Sequence, residues 1–353
     1  MRRTAVIVFL AATLLASFTV PAVPLCSAAS AAHAPALAGI PAKPADVPAA
    51  WKQLIGEYES DGALVNVLER SGELFISTGP DSFIPLRQVG AGAFKAAGDP
   101  VQFQLGPGGS RKLTFRGMTY VHRDFGDVQH SFHMTPLRPP DELRKEALAA
   151  QPPVENKTLR KPDLVELTKL DPEIHLDIRY ATSNNFMGTP FYDEARAFLQ
   201  RPAAEALVRV NRKLRAYGYG LLIHDGYRPW YVTKMFWDAT PNDKKDFVAD
   251  PKKGSNHNRG GAVDLSLYDR RTGKEVEMTG GYDEMSDRSY ADYQGGASLQ
   301  RWRRDLLRTA MESEGYKVFK FEWWHFDYKD WATYPVLNVR FDQITTGKSA
   351  DTN

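Results

Sequence analysis

Between Trp51 and about His133, short apolar stretches alternate with turn signals. The turns fall at Ser60 to Gly62, Ser71-Gly72, Gly79 to Asp81, Gly90 to Gly92 and Gly106 to Gly109. Leu64 to Leu68, Leu74 to Ile76, Val101 to Leu105 and Leu113 to Phe115 stand between them and read as strands. A spacing of roughly ten residues predicts a small antiparallel β-domain, of meander or barrel type, over residues 48–135. Beyond about Leu164 the pattern becomes mixed. Ala203, Leu207, Val210 and Leu214 form a one-face helical stripe, opened by Pro202 and closed by Gly218. Leu299, Trp302, Leu306 and Ala310 form a second stripe, which ends at Gly315. Leu221-Leu222-Ile223 reads as a short buried strand. From Gly261 to Leu267, Val263, Leu265 and Leu267 share one strand face, and Asp264 and Ser266 share the other. The order of elements is mixed rather than a strict β-α repeat, which predicts an α+β domain over residues 163–345.

The connections have their own texture. Residues 30–47 are rich in Ala and Pro and read as a flexible linker. Residues 136–162 are Pro-rich and charged, with Pro139-Pro140 and Pro152-Pro153, and read as an interdomain linker carrying one short helix near Asp141 to Ala150. No internal repeat is evident.

Charge removes some function classes. The 353 residues hold 45 basic and 43 acidic side chains, a net charge of +2, and no basic block. Nucleic acid or an anionic membrane surface as main partner would need a concentrated positive field. The first thirty residues read as an export signal: Arg2 and Arg3, an apolar run from Ala5 to Val20 broken by Pro21 and Pro24, then small residues around Ala28, Ala29 and Ala31. Cleavage there predicts an exported protein, periplasmic or secreted, with no integral membrane segment left. Cys26 is the single cysteine and lies inside this signal, so no internal disulfide can form. The large Leu25 before it argues against a lipid anchor.

Three distant segments are rich in reactive residue types. In Ser255-Asn256-His257-Asn258-Arg259-Gly260-Gly261-Ala262-Val263-Asp264, a histidine ends a glycine-containing loop and an aspartate lies on the polar face of the next strand. A strand advances only about 3.3 Å per residue, so the loop must fold back for both to reach one ion. Gly260 and Gly261 permit that turn. An imidazole and a carboxylate supply two of the three protein ligands usual in catalytic zinc sites. In Glu322-Trp323-Trp324-His325 a second histidine completes the set, and Glu322 near the metal suits a general base. Positions three apart on a regular strand face opposite ways, so alternation must break at Trp323-Trp324 if both serve one site. In His224-Asp225-Gly226-Tyr227-Arg228-Pro229, Arg228 brings a fixed charge suited to an oxyanion. Each residue alone has an ordinary reading: a loop histidine, a turn aspartate, a structural ion pair, core tryptophans. His122, His130 and His133 of the β-region show no ligand spacing with a carboxylate and read as surface or cap histidines.

At these residues the chain resembles the D-alanyl-D-alanine dipeptidase family, which includes the enzyme of vancomycin resistance. That family carries Ser-x-His-x-Arg-Gly-x-Ala-x-Asp, Glu-x-Trp-His and Asp-Gly-Tyr-Arg-Pro, matched at 255–264, 322–325 and 225–229. The stretch from Asp177 to Gly188 and the stretch Gly281-Tyr282-Asp283-Glu284-Met285 are also similar, over about residues 164–340 in the same order. The resemblance implies one Zn2+ on His257, Asp264 and His325, a base at Glu322 and transition-state support from Arg228. It implies Ser255 near the substrate carboxylate and Asp283 on its ammonium. It also implies a fold shared with D,D-carboxypeptidases and the hedgehog signalling domain, and a small cell-wall-derived dipeptide as substrate. Three departures stand out: the added β-domain, Asn256 beside the first histidine, and a long loop from Asp287 to Gly296 with Tyr290 and Tyr293. Two other readings stay open: a D,D-carboxypeptidase or endopeptidase on longer peptidoglycan peptides, and a zinc-bearing binding protein without activity. The β-domain could then contact wall or protein.

Overall fold

The computed structural model describes residues 37–79, 81–123, 133–156 and 158–344. The export signal of residues 1–30, Cys26 and His130 lie outside them. After one helical turn, α1 (Ala49–Lys52), the chain runs through β1 (Gly56–Ser60), β2 (Ala63–Arg70), β3 (Glu73–Ser77), β4 (Phe83–Gly90), β5 (Ala93–Ala96), β6 (Asp99–Leu105), β7 (Arg111–Phe115) and β8 (Met118–His122). Each pairs antiparallel with its neighbour, and β8 returns to β1 through Tyr58–His122 and Glu59–Val121 to close a barrel. Period-two alternation turns Val65 and Val67 of β2, Leu74 and Ile76 of β3 and Leu113 and Phe115 of β7 into its core.

The second half contains α2 (Pro140–Ala149), β9 (Leu164–Glu166), α3 (Leu167–Leu170), β10 (His175–Leu176), β11 (Phe198–Gln200), α4 (Arg201–Arg215), β12 (Tyr219–Asp225), α5 (Trp230–Ala239), β13 (Ala262–Asp269), α6 (Ser298–Glu312), β14 (Tyr316–Phe319) and β15 (Glu322–Tyr328). Five strands form one sheet in the order β10-β12-β13-β15-β14, and β9 pairs with β11 apart from it. Only the β10–β12 pairing is parallel. Ala203, Leu207, Val210 and Leu214 of α4 are buried in the main core, as are Leu299, Trp302, Leu306 and Ala310 of α6. Pro202 sits in the first turn of α4, and Gly218 takes a positive φ of 81° just after it. Among the described residues no helix is long and apolar enough to cross a membrane.

Two stretches read as linkers, one flexible and one carrying a short helix, pack on the second half of the chain, and the helix is α2. From Leu37 onward, the Ala- and Pro-rich segment lies on the second half of the chain. The Leu37 amide donates to Tyr217 Oη at 2.9 Å, Trp302 Nε1 donates to the Pro41 carbonyl at 2.9 Å, and the Lys43 ammonium stands 4.8 Å over the Tyr219 ring. Within 136–162, α2 buries Leu143 and Ala147 in the main core. Further on, Glu155 accepts from Arg259 Nη2 at 2.8 Å and from the Val336 amide at 2.9 Å. Proline fixes φ and removes one amide donor; it neither bars a helix from starting on it, as α2 does at Pro140, nor stops the rest of the backbone from finding partners.

Candidate active site

Local chain geometry builds the site from three neighbouring strands and one turn. Asp264 on β13 stands opposite His325 on β15, and Asp225 at the end of β12 stands opposite Asp264. Just before β13, residues 256–259 form a single 3-10 turn that carries His257. Ser255 caps it: its Oγ accepts from the His257 amide at 3.3 Å, and Asn258 Oδ1 accepts from the Ser255 amide at 2.7 Å. Gly260 closes the turn at φ 66°, which folds the chain back into β13. The turn is knitted to the β12–α5 connection. The Arg228 amide donates to the His257 carbonyl at 3.1 Å, and Asn258 Nδ2 donates to the Arg228 carbonyl at 2.8 Å.

Three donor atoms converge. His257 Nε2 lies 3.1 Å from His325 Nδ1 and 3.3 Å from Asp264 Oδ1, and His325 Nδ1 lies 3.0 Å from Asp264 Oδ1. Tetrahedral zinc with bonds of about 2.0–2.1 Å sets its ligand atoms about 3.3 Å apart, so this triangle has the size such an ion needs. The outer contacts leave the facing nitrogens free to ligate. His257 Nδ1 reaches the Gly226 carbonyl at 2.8 Å and His325 Nε2 reaches Asp327 Oδ1 at 3.1 Å, which places the ring protons on those outer atoms. Tyr282 Oη donates to Asp264 Oδ2 at 3.0 Å and turns Oδ1 inward. Electrostatics point the same way. Burial opposes charge on His325, yet Asp264 and Asp327 outweigh it and hold its pKa well above the imidazole value. Burial likewise opposes charge on Asp264, and the two histidines nevertheless hold its carboxyl well below the usual range. The cluster calls for positive charge at its centre.

Glu322 Oε2 lies 3.8 Å from His325 Nδ1. Strand alternation does fail between them. Phe326 pairs with Val318, but Glu322 pairs with Phe319, so Trp323, Trp324 and His325 are extra residues relative to β14. Both tryptophans are buried, edge to face at 5.4 Å. Burial raises the Glu322 pKa, opposed by His325 and reinforced by Asp264.

Arg228 is fixed on every side. Its Nε and Nη2 donate to Asp225 Oδ2 at 2.9 and 2.7 Å, and its Nη2 lies 3.8 Å from Asp264 Oδ2. Its guanidinium also lies 4.9 Å from the Phe236 ring centre and 5.3 Å from that of Tyr180. Asp225 is itself held by Tyr192 Oη, which donates to its Oδ1 at 2.7 Å. Asp283 keeps a left-handed backbone, φ 58°. Tyr180 Oη lies 3.0 and 3.2 Å from its two carboxylate oxygens. Burial, with the Asp264 charge behind it, pushes the Asp283 carboxyl up to about 8, so a cationic partner would be welcome there.

All seven residues singled out in the sequence, Arg228, Ser255, His257, Asp264, Asp283, Glu322 and His325, line one cleft of ≈ 670 Å³. Sequence reasoning gave no role to Asp327, Tyr180, Tyr282 or Tyr192. Asp327 was within reach, because it stands two residues after His325 on the same strand face. The tyrosines were not, because their partners come from distant segments. A second group of ligand type, Asp177, His224 and Glu275, lies apart from the cleft lining. There the Arg179 guanidinium already supplies a cation, 2.6 Å from Asp177 and 3.4 Å from Glu275.

The profile of the D-ala-D-ala dipeptidase family, Peptidase_M15, matches residues 160–344. Relatives named D-alanyl-D-alanine dipeptidase give the same picture. That of Escherichia coli K12 is 35% identical over 179 residues, 51% of this chain and 91% of that protein. That of Enterococcus faecalis is 35% identical over 189 residues, 48% of this chain and 92% of that protein. That of Enterococcus faecium is 34% identical over 202 residues, 50% of this chain and 97% of that protein. The barrel precedes the matched part. With its ligand-type residues, cleft and matched half taken together, the chain belongs to the D-Ala-D-Ala dipeptidase family of metal-dependent M15 peptidases.

Proposed function

We propose that this enzyme hydrolyses D-alanyl-D-alanine, or a similar small cell-wall-derived dipeptide, with one zinc ion held by His257, Asp264 and His325. The convergence of those three donor atoms beside Glu322 and Arg228 carries the reading. Two neutral imidazoles and one carboxylate are a donor set that suits zinc. When bound, zinc supplies a Lewis acid that acidifies water and polarises the scissile carbonyl. Glu322, its pKa raised by burial, accepts the proton of the attacking water and passes it to the leaving amine. Arg228, held rigid by Asp225, faces the charge that grows on the carbonyl oxygen. Asp283 receives the substrate ammonium, and Ser255 lies near the substrate carboxylate. The second half of the chain then belongs with the hedgehog and D,D-carboxypeptidase fold. The export signal gives it a periplasmic or secreted place, which sequencing the N-terminus of the exported protein tests.

A second reading is favoured by one observation. The cleft of ≈ 670 Å³ has Phe247, Tyr290, Phe319 and Phe321 exposed at its rim. Clefts of about 300–1,000 Å³ suit drug-sized ligands, so two alanines leave room for a longer D,D-peptide. A panel of D,D-dipeptides and their N-acylated forms, with metal analysis of the purified protein, separates the two. Preferred cleavage of free D-Ala-D-Ala is expected; cleavage of only the acylated forms would replace the dipeptidase by a carboxypeptidase.

A further inference from the structure

The family match leaves the barrel without a role, and the barrel's own contacts suggest one. Residues 286–296 form one wall of the cleft, through Ser286, Asp287, Ser289 and Tyr290. That wall touches the hairpin tip that precedes Glu322. The Ala291 amide donates to the Lys320 carbonyl at 3.1 Å, and Tyr290 packs edge-on against Phe321 at 5.4 Å. The far end of the same segment is held by barrel strands. Tyr293 Oη donates to Glu57 Oε1 on β1 at 2.8 Å and accepts from Asn66 Nδ2 on β2 at 3.2 Å. Glu57 is only 3% exposed and Tyr293 is half-buried, so the contact is partly shielded from water rather than a surface pair. Next, the Glu69 amide donates to the Gly296 carbonyl at 3.1 Å. Ser298, the first residue of α6, donates its amide to the Glu69 carboxylate at 2.7 Å, so a barrel residue caps that helix.

We infer that the barrel is a positioning element of the active site. Tyr293, gripped by Glu57 and Asn66, fixes the 286–296 wall and, through Ala291, the hairpin tip that presents Glu322. The inference rests on the reading that Glu322 works in this cleft. Tyr293 touches no reacting atom and is a positioning residue. Segment 286–296 holds little regular structure beyond one 3-10 turn, Asp287–Ser289, so outside anchors set its place: the barrel through the Tyr293 side chain, and α6 through Arg304 and Arg301 on the carbonyls of Tyr293, Gly295 and Gly296.

Tyr293→Phe in the full, zinc-loaded chain tests this, with Glu57→Gln beside it because Gln keeps an acceptor for the phenol. The measurements are kcat and KM on the best substrate of the panel, zinc content, and hydrogen exchange resolved by segment, all well below each thermal midpoint. Tyr293→Phe is expected to lower kcat/KM about 10-fold or more with full zinc content. Its faster exchange should spread from 286–296 to 319–325, whereas Glu57→Gln stays within a few-fold of wild type. Unchanged kcat/KM in Tyr293→Phe, or faster exchange confined to barrel strands, overturns the inference. If the wild type cleaves nothing on the panel, the proposed function fails. The spread of exchange from Tyr293 to the hairpin tip then still decides the positioning role.

Discussion

His224 is wholly buried, stacked 4.5 Å from the Tyr282 ring, with Nδ1 3.4 Å from Asp177 and Nε2 3.5 Å from Glu275. Burial opposes its charge, but the two carboxylates win and raise its pKa from 6.5 to about 9. A raised folded-state pKa stabilises fully below the unfolded value and is lost as pH climbs through the folded one. Wild type should therefore outmelt His224→Gln most clearly at pH 6.5 or below, and the gap should narrow toward pH 9; a gap independent of pH would show the ring to be neutral. Glu322→Gln keeps the shape and removes the proposed base. Turnover should fall by about 10²–10⁴-fold with zinc content unchanged, and retained activity would remove Glu322 from its role. Asp283→Asn should raise KM about 10- to 100-fold for free dipeptides, the size of a lost charge-assisted contact, while an N-acylated peptide loses far less. Residues with reactive side chains in short motifs were legible in the sequence: His257, Asp264, Glu322 and His325 stand out by type and spacing. Their supports were not. Tyr180 reaches Asp283 and Tyr282 reaches Asp264 only because distant segments fold together.

At the scale of elements, legibility followed periodicity. The stripes of α4 and α6 marked both helices, because a buried face repeats every three to four positions. Strands carrying apolar residues between turn signals, β2, β3, β6 and β7, were also readable, though only β6 and β7 alternate cleanly in burial. β4 was not, since Leu86 alone of its eight residues is buried. The hairpin β14–β15 could be read only as a requirement, that alternation break before His325; the register jump at Glu322 is how the chain meets it. A similar economy governs the turn after β12. A Cβ on Gly226 would stand 2.8 Å from the Phe198 carbonyl oxygen, a backbone atom that cannot rotate away. Gly226 also offers its carbonyl to His257 Nδ1. Gly226→Ala should thus cost about 1–3 kcal/mol of stability and weaken zinc binding together, seen in denaturant melts and metal competition. Loss of stability with intact zinc affinity would separate the turn from the site.

For the molecule as a whole, composition showed two kinds of chain and a junction between them, but not what the junction does. Residues 37–47 and 136–156 look like spacers by their prolines, yet they strap the second half through Trp302, Tyr217 and Arg259. Those contacts depend on surfaces that exist only after folding. Arg259, in the motif that carries His257, is tied through Glu155 to one strap, so the His257 loop is braced from outside the family core. The three proposed ligands come from two distant segments, so a metal held there would clamp the fold as well as serve the reaction. At free zinc about 1,000 times its Kd the clamp is worth about 4 kcal/mol. Chelation should lower the thermal midpoint by several degrees and zinc should restore it, while an unmoved midpoint would argue against a bound ion. The barrel's closure has a different bearing. Because β8 pairs back to β1 through Tyr58–His122 and Glu59–Val121, none of the described barrel strands has a wholly unpaired edge along which another chain could add itself. That lowers the hazard of edge-to-edge aggregation through added strands, and the barrel holds the 293–298 stretch with the side chains of Glu57, Asn66 and Glu69 and the backbone amide of Glu69.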